Sequence, residues 1–251
     1  MFRHFMQPPT PKIFDSARQV ATAFRIPSPI TMTITPTRLQ SSLARPIQCK
    51  RIIVAVTGAT GAPLAVSLLQ RLRKLNVETH LILSKWGAAT LKYELDPPNN
   101  TSRYLESLAD YTYSPRDVSA SLSSGSFLTH GMIVVPCSMK TLAAIRIGYD
   151  SDLITRAAGV SLKERRKLVL AARETPLSTI HLENMLEVTR AGAMVFPPVM
   201  AFYTRPKSVN DMVAQSVMRM VDCLGLGNEE SVDEEGRWTG FDWEGKEAEQ
   251  A

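Results

Sequence analysis

Apolar residues along the chain fall into two periods, one continuous and one helical. Arg51-Ile-Ile-Val-Ala-Val56 holds five apolar residues without a polar break. Such a run fits a strand buried on both faces, as in a parallel sheet. A small-residue loop follows, Thr57-Gly-Ala-Thr-Gly61, and then Leu64, Leu68, Leu69, Leu72 and Leu75 recur at helical spacing. The alternation repeats. Val77–Leu83 reads as a strand and Trp86–Leu95 as a short helix stopped by Asp96-Pro97-Pro98. A helix is expected at Ser102–Leu108 and a short strand near Tyr111. Met132–Val135 is a third buried strand, closed by Pro136-Cys137-Ser138, with a helix from Met139 to Ile147. Asp152–Arg166 reads as a helix capped by Asp152, Lys167–Ala172 as a strand, and Ser178–Arg190 as a helix capped by Ser178. Ala193–Phe196 reads as a strand broken by Pro197-Pro198. Ser208–Leu224 is a last amphipathic helix, opened by Ser208 or Asn210 and ended by Gly225 and Gly227.

Strands alternating with helices predict an α/β domain with a mostly parallel sheet and helices on both faces. Ligands in such sheets bind outside the carboxyl ends of the strands. Those ends are Thr57–Gly61, Ser84, Pro136–Thr141, Arg173–Glu174 and Pro197–Tyr203, and they share small residues, hydroxyls and a few charges. In the first, Gly58 and Gly61 permit a tight turn and Pro63 suits the first turn of a helix. A phosphate at that helix N-terminus and a generic βα turn both fit. The loop lacks Gly-x-Gly-x-x-Gly and is not followed by Gly-Lys-Ser/Thr. That disfavours a dinucleotide or ATP and leaves a mononucleotide compatible. The serine-rich run Ser119–Ser126 fits a loop or helix cap near a site and equally a plain surface loop.

Composition adds limits. The 251 residues are 44% hydrophobic, enough for one large α/β domain or two small ones, and no apolar run approaches the roughly 18 residues of a membrane span. Cys49, Cys137 and Cys223 are odd in number and widely spaced, which points to neither a disulfide framework nor a zinc site. The net charge of +5 hides three zones. Residues 1–49 set six cations against Asp15 alone, a net of +5; residues 228–251 set nine acids against Arg237 and Lys246, a net of −7; residues 50–227 carry the remaining +7. The first zone is Arg-rich, acid-poor and hydroxyl-rich, as mitochondrial transit segments are, although an extension without an address has the same composition. The last zone reads as a flexible acidic tail that Trp238, Phe241 and Trp243 are able to anchor. The cations of the middle zone are scattered apart from Lys163-Glu-Arg-Arg-Lys167, which reads as a solvated helix face rather than a nucleic-acid patch; a basic core also suits small phosphorylated ligands.

Several motifs occur together in order: Thr57-Gly-Ala-Thr-Gly-Ala62, Ser84-Lys85, Pro136-Cys-Ser-Met-Lys-Thr141, Thr155-Arg-Ala-Ala158, Leu162-Lys-Glu-Arg-Arg166, Arg173-Glu-Thr-Pro176, His181-Leu-Glu-Asn-Met185 and Ala201-Phe-Tyr203. Over residues 50–227 the chain resembles the UbiX-type flavin prenyltransferases, and within them the fungal mitochondrial members once called phenylacrylic acid decarboxylases. The resemblance implies a Rossmann/flavodoxin-like three-layer fold. It implies reduced FMN as acceptor and dimethylallyl phosphate as donor, with the prenyl unit joined to N5 and then to C6. The product, prenylated FMN, serves a separate UbiD-type decarboxylase. It also implies a metal-independent enzyme, a homododecamer and a mitochondrial location, with neither nucleic acid nor a membrane span involved.

Carried over by motif, Gly58, Ala59 and Thr60 contact FMN at the first loop, Ser84 adds a hydroxyl, and Ser138, Met139, Lys140 and Thr141 bind flavin from the third strand end. Arg173 also meets the flavin. Tyr203 and Arg219 match positions that bind dimethylallyl phosphate, and Glu94, Arg156, Lys163 and Glu174 match the polar cluster around its phosphate. Some of these are open to contribution from a neighbouring subunit. The family often has Ser where Thr60 stands, so the hydroxyl is kept and a methyl added. The residue types suit the chemistry. Breaking an allylic C–O bond leaves growing negative charge on phosphate, which Arg156, Lys163 and Arg219 are suited to stabilise. Ring closure at C6 releases a proton, for which Glu174 or the departing phosphate is a candidate base. Cys137 has no flanking base in sequence and reads as a packed small hydrophobe. His181 reads as a helix-face histidine. A cysteine-decarboxylase-type flavoenzyme has a catalytic His early in the domain and an Asn-rich substrate motif; Ser138-Met-Lys140 stands at the matching place.

Overall fold

The computed structural model describes residues 49–227 together with Arg237 and Gly240. The expected transit segment and the acidic tail otherwise lie outside the described residues. Six strands form one sheet: β1 (Arg51–Val56), β2 (Glu78–Leu83), β3 (Tyr111–Tyr113), β4 (Gly131–Cys137), β5 (Lys167–Ala172) and β6 (Met194–Val195). Their order is β3-β2-β1-β4-β5-β6, and all five pairings are parallel. Without the edge strand β3 this is the flavodoxin-like order of a doubly wound sheet, and the order reverses between β1 and β4.

Burial on both faces explains the unbroken apolar strands. Ile52, Val54 and Val56 of β1, with Ile133, Val135, Val169 and Ala171, face α1 (Ala62–Lys74) and α7 (Val209–Cys223). Leu91 of α2 (Lys85–Glu94) and Leu105 of α3 (Ser102–Ser107) join that side. The alternate residues Ile53, Ala55, Met132, Val134, Leu168 and Leu170 face α4 (Met139–Arg146), α5 (Leu153–Lys163) and α6 (Thr179–Arg190). The three layers follow from this two-sided burial.

Helix starts obey local capping. Asp152, Ser178 and Ser208 each accept from the backbone N–H three residues on, and Thr155, His181 and Asp211 return the bond. His181 is thus a capping residue as well as a helix-face one. Ser208, not Asn210, opens α7. Several boundaries differ from the periodicity, β4 running on through Pro136 and Cys137. The helix from Asp152 stops at Lys163 rather than Arg166, because Arg165 takes a left-handed φ of 56°. The Arg166 guanidinium there turns to the carbonyls of Gly125 and Phe127. The last strand pairs over only two residues, although Phe196 N–H still donates to Leu170 O at 2.8 Å. The serine-rich run holds a 3-10 turn, Ser121–Ser123, that lies against α5.

One buried polar cluster lies outside the sequence expectations. His80 on β2 is 2% exposed, stacked on Tyr111 and edge-on to Phe127. Its Nδ1 meets Tyr113 OH at 3.0 Å and its Nε2 meets Glu78 Oε1 at 2.9 Å. Glu78 Oε1 also accepts from Arg51 Nε at 2.7 Å. Burial lowers the His80 pKa below 6.5, and the Glu78 carboxylate only partly offsets this. The unfolded chain therefore takes up a proton near 6.5 that the folded protein resists, so stability is lost as pH falls from that value toward the folded pKa. Urea unfolding is expected to shift to lower denaturant below about pH 6.5, and His80→Gln to flatten the slope. His130, lowered in the same direction, accounts for part of the remainder. An unchanged slope in the variant assigns the effect elsewhere.

Candidate active site

The crevice opens where β1 and β4 part. Thr57, 2% exposed, ties the two strand ends together. Its Oγ1 donates to Pro136 O at 2.8 Å and accepts from Ser138 N–H at 2.8 Å, while its own N–H donates to Pro136 O at 3.2 Å. Beyond it the loop turns sharply, and Gly61 takes a φ of 130° that side chains rarely adopt. Gly58 has a different reason to be glycine. A Cβ there would lie 2.3 Å from the Cβ of Trp86, so the loop lies directly on the first turn of α2. Thr60 is exposed at the loop and Ala59 is half-buried.

The N-terminus of α1 is already occupied by an anion. Glu94 Oε2 accepts from Gly61 N–H at 2.8 Å and from Ala62 N–H at 2.7 Å. Pro63 has no N–H, and Leu64 N–H donates to Gly61 O. A phosphate on this helix end, one of the two readings of the loop, is therefore displaced by a carboxylate of the same chain. Charge at a helix N-terminus is favourable for either anion, and the covalently tethered one holds the place. The loop offers Thr60 and its backbone edge instead.

The other strand ends converge here. Ser84 caps α2, its Oγ accepting from Gly87 N–H at 3.0 Å. Ser138 caps α4, its Oγ 3.1 Å from Thr141 Oγ1. Met139 is half-buried and Lys140 exposed on the same first turn. Arg173 N–H donates to Cys137 O at 3.2 Å, which brings the end of β5 to the end of β4 and leaves the side chains of Arg173 and Glu174 exposed. Glu174 Oε1 accepts from Thr175 N–H at 3.1 Å. Beside Ser84 lies a cavity of 520 Å³, bounded also by Lys85, Tyr113, Ser114 and Arg116. Sequence reasoning missed its β3 wall, because the three-residue strand carries no motif. Cys137 is fully buried and its thiol is pushed up to about 12, so it is packing and not a nucleophile.

Two further sets of expected residues lie on α5 and on or beside α7. Arg156 on α5 donates to Ser123 O and to Asp150 Oδ2, both at 3.1 Å. Lys163, at the other end of α5, pairs with Glu164. It precedes Lys167, the first residue of β5, by four positions, whereas Arg173 follows the last. Six strand residues span about 20 Å, so Lys163 and Arg173 belong to opposite edges of the sheet. Tyr203 lies in a 3-10 turn, Phe202–Thr204, where its hydroxyl accepts from Gln215 Nε2 of α7 at 3.3 Å. Arg219 is one turn further along α7 and pairs with Asp222 at 3.0 Å. The end of that helix reaches Gly131 at the start of β4, again toward the amino edge. Within one chain, Lys163 and Glu174 therefore lie at opposite ends of β5, an arrangement that contribution from a neighbouring subunit allows for. Among the described residues no group of three potential metal ligands occurs, and no helix is long and apolar enough to cross a membrane.

A doubly wound sheet with hydroxyls and an arginine at its switch point offers a place for a mononucleotide, as in flavodoxin. The flavoprotein family model matches residues 40–222. Mitochondrial flavin prenyltransferase PAD1 of Saccharomyces cerevisiae is 61% identical over 206 residues, which cover 82% of this chain and 81% of the yeast protein. The crystal structure of AnUbiX (PadA1) in complex with FMN and dimethylallyl pyrophosphate superposes with a TM-score of 0.72 at 56% identity, covering 77% of this chain and all of that one. A dodecameric FMN-dependent Ubix-like decarboxylase from Escherichia coli O157:H7 gives 0.70 at 53%, covering 76% of this chain and all of that one. The chain belongs to the flavoproteins, and within them to the UbiX-type flavin prenyltransferases.

Two outcomes follow from the crevice. Thr57→Val removes a donor and an acceptor from a buried bridge and is expected to cost about 1–3 kcal/mol of stability, read as a lowered melting temperature; an unchanged value would mean that the bridge is dispensable. A thiol reagent at about pH 8 is expected to label exposed Cys49 and to spare Cys137 until the protein is denatured. Labelling of native Cys137 at the rate of Cys49 contradicts the packing role.

Proposed function

We propose that this chain joins a dimethylallyl group, taken from dimethylallyl phosphate, to reduced FMN held in the β1–β4 crevice. The observation that carries the reading is the convergence of Thr60, Ser84, Ser138, Thr141 and Arg173 on the carboxyl edge of the sheet. Glycine at positions 58 and 61 lets backbone approach there. These groups fit FMN: hydroxyls and backbone for a polar heterocycle, one guanidinium for its anionic part, and no phosphate on the end of α1. Gly58, Ala59 and Thr60 form one wall, with Ser84, Ser138, Met139, Lys140, Thr141 and Arg173 around the rest. Reduced FMN, when bound, supplies the nucleophilic N5 and C6.

The remaining work belongs to side chains. Arg219, Arg156 and Lys163 neutralise charge that grows on the leaving phosphate oxygen, and guanidinium does so through two parallel bonds. Tyr203 offers an aromatic face to the positive allylic fragment. Glu174 uses Oε1 to accept from Thr175 N–H, which leaves Oε2 to take the proton released on ring closure. Because Lys163 lies toward the amino edge, a neighbouring copy is the source we favour for that cation at the crevice. Large apolar side chains exposed in the segments after β5 and β6 support self-association: Ile180 at 67%, Val199 at 76% and Phe202 at 69% exposure. A homododecamer, as in the E. coli relative, is the assembly we favour. Residues 50–227 form the catalytic domain, with residues 1–49 a mitochondrial transit segment, as the yeast relative and the acid-poor composition support, and residues 228–251 an acidic tail. The product is passed to a UbiD-type decarboxylase.

Anaerobic incubation with reduced FMN and dimethylallyl phosphate is expected to add one prenyl mass to the flavin, read by mass spectrometry. Dimethylallyl pyrophosphate, the ligand of the solved relative, is the comparison donor. No mass gain with either sinks the proposal. Glu174→Gln is expected to keep flavin and to lower turnover on the order of 10²-fold; unchanged turnover removes Glu174 from the proton step.

A further inference from the structure

Asp222, near the end of α7, has its carboxylate shared by two guanidinium groups. Arg219 NH1 donates to Oδ2 at 3.0 Å. Arg237, fifteen residues further along, takes both oxygens: NH2 reaches Oδ1 at 2.9 Å and NH1 reaches Oδ2 at 3.2 Å. The same NH2 lies 3.4 Å from Gly227 O. The place is shaped around the carboxylate, since a Cβ on Gly227 would lie 1.9 Å from Asp222 Oδ1. Asp222 is 19% exposed, Arg237 32% and Arg219 52%, so the outermost of the three is Arg219.

We propose that Arg237 is a positioning residue for the donor phosphate, acting through Asp222 on Arg219. The inference rests on the reading of Arg219 as a phosphate ligand. A carboxylate prefers a guanidinium fork, and with both oxygens engaged by Arg237 it holds Arg219 by one nitrogen only. The other edge of Arg219 is left for phosphate. The trio Arg219–Asp222–Arg237 then carries a net positive charge. Without Arg237 two things change in the same direction. Asp222 closes its own fork on Arg219, three residues away on one helix, and the net charge of the remaining pair falls to zero. Both loosen the grip of Arg219 on a phosphate that is already anionic before its C–O bond breaks, while Arg156 and Lys163 still meet the charge that grows later, so the effect belongs in KM more than in kcat.

The test uses the full chain under anaerobic conditions with saturating reduced FMN and varied dimethylallyl phosphate. Arg237→Ala is expected to raise KM about three- to fivefold, the range of a partly exposed ion pair, with kcat nearly unchanged. Adding Asp222→Asn to that variant removes the carboxylate that captures Arg219 and is expected to bring KM back toward the wild-type value. A merely structural Arg237 predicts no such rescue. Arg237→Lys, which keeps the charge and loses the fork, gives an intermediate KM and carries the test should the alanine variant fail to fold. An unchanged KM in the Arg237 variants, or a rise that Asp222→Asn leaves in place, overturns the proposal. Arg219→Ala separates the two layers. If it leaves KM unchanged, the phosphate role of Arg219 is wrong; if it raises KM and the Arg237 variants do not, only the positioning role is wrong.

Discussion

The site depends on one hydroxyl. Parallel strands that wind in opposite directions from a common centre must separate at their carboxyl ends, and β1 and β4 separate at Thr57. Its Oγ1 donates to Pro136 O and accepts from Ser138 N–H. That single atom satisfies a carbonyl of β4 and the first backbone donor beyond it. It also sets how far the first loop stands from the cap of α4. Hydroxyls of Ser138 and Thr141 on one wall and Thr60 on the other take their spacing from this bridge. A valine, nearly the same size, would fill the volume and supply neither bond.

Much of the fold was legible because its causes are local. Unbroken runs such as Ile52–Val56 require two apolar faces, and the three capping boxes are written in Asp152, Ser178 and Ser208. The end of α5 was not legible, because Arg165 turns only where Arg166 finds carbonyls of Gly125 and Phe127 some forty positions earlier. The length of β6 was hidden likewise: Ala193–Phe196 is apolar enough for a strand, but its pairing ends against β5.

The site divides on the same principle. Residues at strand ends were found because every strand end points to one edge. The occupant of α1's N-terminus was not, since Glu94 reaches it from the far end of another helix. The strand between Lys163 and Arg173 sends these two, ten positions apart, to opposite edges, which its predicted bounds already implied. Motifs give the membership of a site but not its partition among copies, because identical chains bring distant positions together without leaving any mark in spacing.

The helix α2 touches the first loop at both of its own ends. The backbone and Cβ of Trp86, in its first turn, lie against Gly58, and Glu94, its last residue, holds the N–H groups of Gly61 and Ala62. The loop is thus braced across its whole length by a single rigid rod. Its shape is set when the chain folds, so a ligand arriving there meets a finished wall and no freedom is lost in these residues on docking.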